Sequence, residues 1–153
     1  MKEITPATIA DIPQLCELLA ILFAQEEDFR PDTAKQSAAL RQIIGHPGTG
    51  RIIVLREGGD IPGMVNLLFT VSTACGGKVA ILEDMVVRPE RRNDGLGNML
   101  LKTATAAARD EGCLRITLLS DRANDPAIRF YQRQGFTLSS MIPLRKALDE
   151  PAR

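Results

Sequence analysis

Three arginines and two glycines fall between Arg88 and Gly97, where the apolar stretch Met85-Val86-Val87 gives way to Arg88-Pro89-Glu90-Arg91-Arg92-Asn93-Asp94-Gly95-Leu96-Gly97-Asn98. A strand that ends in a basic turn and then opens a helix through glycines has the physics of an anion site. First-turn N–H groups have no partner within the helix and carry the positive end of its dipole, so a phosphate there gains hydrogen bonds and charge compensation together. Gly95 and Gly97 let the backbone come close to a ligand, and Arg88, Arg91 and Arg92 supply cationic donors whose planar forks suit phosphate oxygens. Two other nucleotide loops fail on spacing. A P-loop would end in Gly-Lys-Ser/Thr where Asn98-Met99 stand, and a dinucleotide loop needs a third glycine at the position of Leu100. A glycine pair alone is more often an ordinary strand-to-helix connection with solvated arginines.

Further chemistry-bearing residues lie on either side. Glu83-Asp84 interrupts the apolar run Ala80-Ile81-Leu82…Met85-Val86-Val87, and strand alternation predicts that the two carboxylates face opposite ways. A strand acid at Glu83 could equally well hydrogen-bond nearby backbone or pair with an arginine. Tyr131, the single tyrosine, could donate a proton at neutral pH or pack against Phe130 or Phe136. Asn124 opens an Asn-Asp-Pro sequence that reads as a helix cap. His46, alone between Gly45 and Pro47, reads as a surface residue, and Cys16, Cys75 and Cys113 lack paired spacing. We therefore expect no disulfide framework and no metal, with reduced thiols that suit the cytoplasm. Glu26, Glu27 and Asp28 could attract a cationic amine, although a short acidic run is also an ordinary solvated helix end.

The elements that must position these groups follow from periodicity. Ile12, Leu15, Leu19 and Leu22 recur at helical steps after Asp11, which is available as N-cap. Asp32 can cap a second helix with Leu40, Ile43 and Ile44 on its inner face, stopped by Gly45-His46-Pro47-Gly48. Arg51 to Arg56 and Gly63 to Thr73 read as strands joined by the turn Glu57-Gly58-Gly59-Asp60, and Val79 to Val87 reads as a third. Gly95 to Glu111 reads as a helix with Leu96, Met99, Leu100, Thr103 and Ala107 on one face. A short strand Leu114 to Leu119, a helix Asn124 to Gln134, and two short strands in Phe136 to Leu148 complete the order. It describes a mixed α/β sheet with helices on both faces.

The bulk composition narrows the function classes. A chain of 153 residues suits one domain, here 1–153, and 44% apolar with 25% charged residues is ordinary for a globular fold. Nineteen Lys and Arg balance nineteen Asp and Glu, so no overall field favours nucleic acid or an anionic membrane. No window approaches the ~18 apolar residues of a membrane span and the N-terminus has no apolar signal core, so a cytoplasmic location is expected.

Two motifs carry a resemblance. Val87-x-Pro89 followed by Arg92-x-x-Gly95-x-Gly97 resembles the coenzyme A pyrophosphate loop of the GNAT superfamily of N-acetyltransferases, and Asn124-Asp125-Pro126-Ala127-Ile128-Arg129-Phe130-Tyr131-Gln132-Arg133-Gln134-Gly135-Phe136 resembles that superfamily's next segment. Asn93 stands where many members carry glycine; asparagine is the best substitute if that position needs a positive φ. The resemblance implies a GNAT-like single domain: a central mixed, mostly antiparallel twisted sheet of six to seven strands flanked by about four helices, splayed at its middle to hold acyl-coenzyme A. It implies acetyl-coenzyme A as co-substrate, in contact with Met85, Val86, Val87, Arg92, Asn93, Asp94, Gly95, Leu96, Gly97, Asn98, Asn124 and Tyr131. It implies an enzyme that transfers an acetyl group to a primary amine of a small molecule or peptide by direct attack in a ternary complex. Tyr131 would be the general acid for the thiolate, and Glu83 is the candidate base. A homodimer is also implied, and the final strands could pair across subunits. A non-catalytic acyl-coenzyme A sensor would keep the arginine–glycine loop but not need Tyr131 or Glu83.

Overall fold

Alternating and apolar runs joined by tight glycine turns close an antiparallel ladder, and a parallel strand can be added only through a long crossover. The computed structural model, which describes residues 1–25 and 30–149, shows both. One sheet contains β1 (Lys2–Pro6), β2 (Gly50–Glu57), β3 (Asp60–Ser72), β4 (Gly77–Val87) and β5 (Ile116–Leu118), in that spatial order. The first four strands are antiparallel neighbours, and β5 runs parallel to β4. Four α-helices accompany them: α1 (Ile12–Ala24), α2 (Thr33–Gly45), α3 (Leu96–Asp110), which supplies the crossover, and α4 (Asp125–Arg133).

The two faces of the sheet are covered by different helices. Leu15, Leu18 and Leu19 of α1 and Leu40 of α2 pack with Ile52, Val54, Met64 and Val86 on one face. On the other, Leu100 of α3 approaches so closely that a Cβ at Gly63 would stand 2.8 Å from Leu100 Cδ1. The buried stripe of α3 is Leu96, Leu100, Leu101, Ala104 and Ala108, one position away from the expected Met99, Thr103 and Ala107. The small alanines at 104 and 108 let that face lie against the sheet, and Met99 is left exposed.

Three other expectations change. Lys2–Pro6 forms a strand although only Ile4 marks it as apolar, because its backbone completes the ladder beside β2. Asp11 precedes α1 but caps nothing there. Its carboxylate instead accepts hydrogen bonds from the Thr8 N–H (2.7 Å) and hydroxyl (3.1 Å) and pairs with Arg56 (2.5 Å), all at a nearly buried position. Residues 137–149 contain no strand, so the described sheet has five strands rather than six or seven. Apolar alternation makes a strand only where a ladder partner satisfies the backbone, and Leu138, Met141, Ile142 and Leu144 are exposed.

The chain divides into two compact units, Met1–Leu119, which holds the whole sheet and α1 to α3, and Ser120–Arg153, which holds α4. Among the described residues no helix is long and apolar enough to cross a membrane.

The Asp11–Arg56 pair makes a prediction about stability. The guanidinium of Arg56 holds the Asp11 carboxyl below its usual value of 3.8, so the stability it contributes is present above that value and lost as pH falls through the lower folded-state value. Arg56→Met should cost about 3 kcal/mol in chemical denaturation at pH 7, the order expected for stranding one member of a buried pair. The cost should shrink in acid; an equal cost at pH 3 would contradict it.

Candidate active site

β4 runs into a loop whose backbone bends in an unusual way. Arg92 follows a 3-10 turn at Pro89–Arg91, Asn93 has φ +66°, and Gly95 has φ +80° and forms the N-cap of α3. Asn93 is the one non-glycine residue with positive φ among the described residues, which accounts for asparagine where glycine would be the simplest choice. No side chain caps the start of α3 at Gly95, the arrangement in which a helix start can accept an anion.

The three arginines separate by role. Arg88 donates to Glu17 at 2.8 Å, and Arg91 grips both Glu57 oxygens (2.5 and 2.9 Å) and reaches Asp94 at 3.2 Å. These two fasten the loop to α1 and to the end of β2. Arg92 donates only to the Val87 carbonyl (3.3 Å), has no carboxylate partner among the described residues, and is exposed. It is the cation of the three whose charge is available to a ligand.

Two irregularities meet in the middle of β4. The parallel ladder with β5 has three pairs and stops at Leu82–Leu118, so on that side Glu83 to Val87 has no strand partner among the described residues. A free strand edge of this kind offers its N–H and C=O groups to an extended ligand. At the same place the register with β3 slips. Leu82 lies opposite Leu67, Asp84 lies opposite Asn66, and Glu83 is the extra residue of a bulge. Leu82 and Met85, opposite Leu67 and Val65, therefore share the α3 face, and Asp84, opposite Asn66, falls on the α1 face. The bulge interrupts the regular alternation on which the expected facing of Glu83 and Asp84 rested.

Their surroundings differ. Glu83 is exposed. Asp84 accepts a hydrogen bond from Asn66 Nδ2 at 3.0 Å, and burial, with the neighbouring charge of Glu83 adding to it, pushes its carboxyl up from 3.8 to about 6. Asn66 is 3% exposed, and its Oδ1 is buried without a hydrogen-bond partner. Sequence reasoning passed over Asn66; the signal was a lone amide inside the apolar run Met64-Val65-Asn66-Leu67-Leu68, where burial of a polar group needs a reason.

In the second unit, Asn124 Oδ1 accepts from the Ala127 N–H at 3.3 Å, so it is the helix cap its sequence suggests. Tyr131 sits between Phe130 and Phe136, with ring centroids 5.2 and 5.7 Å away in edge-to-face contact. Burial raises its phenol to about 12, so it is protonated at neutral pH. His46 is exposed, with Nδ1 2.8 Å from the Gln42 carbonyl. Glu26, Glu27 and Asp28 lie outside the described residues.

Two outcomes test this geometry. The folded-state value of Asp84 lies above the unfolded one, so its contribution to stability is fully present below about 3.8 and is lost as pH rises through about 6. The advantage of Asp84→Asn over wild type in thermal or chemical unfolding should therefore grow by as much as about 3 kcal/mol between pH 4 and pH 8; a constant difference would contradict the burial of this acid. At Asn93, glycine should be tolerated, whereas alanine should cost about 1 kcal/mol because the left-handed conformation opposes a Cβ. Equal stability of the two variants would mean that the turn relaxes.

The family model for the acetyltransferase (GNAT) family matches residues 13–136. Glucosamine 6-phosphate N-acetyltransferase of Trypanosoma brucei brucei is 29% identical over 106 residues, which cover 69% of this chain but only 64% of that protein. Aminoalkylphosphonate N-acetyltransferase of Salmonella typhimurium is 26% identical over 137 residues, covering 90% of this chain and 86% of the other. Among solved structures, an integron cassette protein from the mobile metagenome of Cole Harbour Salt Marsh superimposes with a TM-score of 0.83 at 29% identity, over 97% of this chain and 91% of its own. With the uncapped, arginine-flanked start of α3 and the free edge of β4, the matched segment is decisive: the chain belongs to the GNAT acetyltransferase family.

Proposed function

We propose that the protein transfers an acetyl group from acetyl-coenzyme A to the primary amine of a small molecule or peptide, by direct attack within a ternary complex. The observation that carries this reading is the continuity of the free β4 edge, Glu83 to Val87, with a loop that presents left-handed Asn93 and Gly95, the ion-pair-free Arg92 and the uncapped start of α3. An extended amide-bearing arm suits the first part, and a pyrophosphate suits the second. Met85, Val86 and Val87 would line the arm, and Arg92 with the Asn93 to Asn98 backbone would hold the phosphates. The Asn124 side chain is engaged as the cap of α4 through its Oδ1. The named relatives act on amines that belong to small molecules, which supports a small amine as acceptor.

The thioester supplies an activated acetyl carbon and a thiolate leaving group. What the chain must add is a neutral amine and a proton for the departing sulfur. Tyr131 fits the second task, because a phenol held near 12 keeps its proton at neutral pH and can release it to a thiolate formed beside it.

Two variants separate binding from chemistry. Arg92→Ala should weaken acetyl-coenzyme A binding about tenfold in calorimetry, the scale of one charge-assisted hydrogen bond. Tyr131→Phe should leave that affinity within twofold and lower kcat by about 10- to 100-fold in a thiol-release assay. Unchanged affinity in the first variant would remove Arg92 from the phosphate site; unchanged turnover in the second would remove Tyr131 from the mechanism.

A further inference from the structure

Within the first unit, a solvent-open groove of about 610 Å³ runs between α1, the 3-10 turn Ile9–Asp11 that precedes it, and α2. Its two walls follow from helical spacing. Pro13, Cys16 and Ala20 stand three and four residues apart on α1, and Thr33, Ser37 and Arg41 stand four apart on α2, so each set forms one stripe along its helix. The stripes meet where Cys16 Sγ and Ser37 Oγ lie 3.4 Å apart. Elsewhere the facing side chains are too small to close the space, where packed helices otherwise interlock through large apolar residues.

The charges lining the groove are unequal. Glu17 accepts a hydrogen bond from Arg88 at 2.8 Å, which compensates its charge. Arg41 is exposed to the groove and makes no ion pair among the described residues. It shares its stripe with the hydroxyls of Thr33 and Ser37, and the α1 wall opposite offers the apolar bodies of Ile9, Pro13 and Ala20. An available guanidinium at one side and an apolar wall at the other complement an anionic head on a short apolar body. The chain as a whole is balanced, with nineteen cationic and nineteen anionic side chains, so the attraction is local to Arg41. The scale of the groove is that of a small molecule: such sites run from about 300 to 1,000 Å³, and at 1.5 Å per residue the Thr33 to Arg41 stripe is about 12 Å long. A stable protein partner would need about 800 Å² from each side.

We propose that this groove is a second binding site, built from none of the residues assigned to coenzyme A, and that it holds a small organic anion with its head on Arg41 and its apolar body against Pro13 and Ala20. The site goes beyond acetyl transfer and does not depend on it. A carboxylate and a phosphate monoester present the same chemistry to an arginine fork, so the probes must differ in head group.

The test is a protein-detected NMR titration of the full chain with hexanoate and hexyl phosphate, with hexanol and hexylamine as head-group controls. Saturable shifts should appear at Cys16, Ser37 and Arg41 with both anions, and the tighter of the two names the head group. Affinity should rise by as much as about fourfold for each methylene added from butyrate to hexanoate, the scale of burying one CH₂. Arg41→Gln should weaken hexanoate about fivefold or more, towards the level of hexanol. Ala20→Leu, which fills the groove with a good helix former, should abolish saturable shifts with every probe. Coenzyme A should leave the hexanoate shifts in place. The proposal is overturned if neither anion gives saturable shifts on α1 and α2, if hexylamine binds as well as hexanoate, if Arg41→Gln leaves hexanoate affinity unchanged, or if coenzyme A displaces hexanoate. Each of these failures leaves acetyl transfer standing, and protein that binds hexanoate but releases no thiol with any amine would keep the groove and remove the acetyl-transfer reading.

Discussion

The candidate active site in the first unit depends on β4 losing regular pairing at Leu82. On one edge the parallel ladder with β5 ends at Leu82–Leu118; on the other the bulge inserts Glu83 opposite the Asn66–Leu67 step. A sheet interior normally satisfies every backbone group with a neighbouring strand, so an unpaired stretch in mid-sheet is a cost that persists when a ligand uses it. The same interruption sets Asp84 opposite Asn66, so the unpaired edge and the Asp84–Asn66 hydrogen bond arise from one irregularity.

The loop that follows shows how much rigidity a flexible-looking sequence can carry. Arg88 and Arg91 are consumed by Glu17, Glu57 and Asp94, and the left-handed residues Asn93 and Gly95 set the direction of the backbone. With those struts in place, Arg92 and the first turn of α3 are oriented before any anion arrives, which lowers the entropic cost of binding it. A cluster that reads as three interchangeable cations is two structural residues and one available donor.

Legibility in the sequence followed the range of the interactions involved. The caps at Asp32, Gly95 and Asn124 and the Gly58-Gly59 turn depend on residues a few positions apart, and all four lie where the sequence places them. The left-handed Asn93 was legible through the resemblance, which places glycine at that position. The bulge at Glu83 was not, because it is set by register against β3, a segment about 18 residues away in the chain. Asp11 misled for a similar reason: its partner Arg56 lies 45 residues on, and that ion pair outcompetes a local cap. The two strands expected between Phe136 and Leu148 show the converse, since apolar alternation is a property of the segment whereas a ladder needs a partner.

The most direct measurement is calorimetric titration of the wild-type protein with acetyl-coenzyme A and with coenzyme A, followed by free-thiol release against a panel of small amines. The account predicts saturable binding of both and thiol release that requires an amine. Folded protein that binds neither would contradict it.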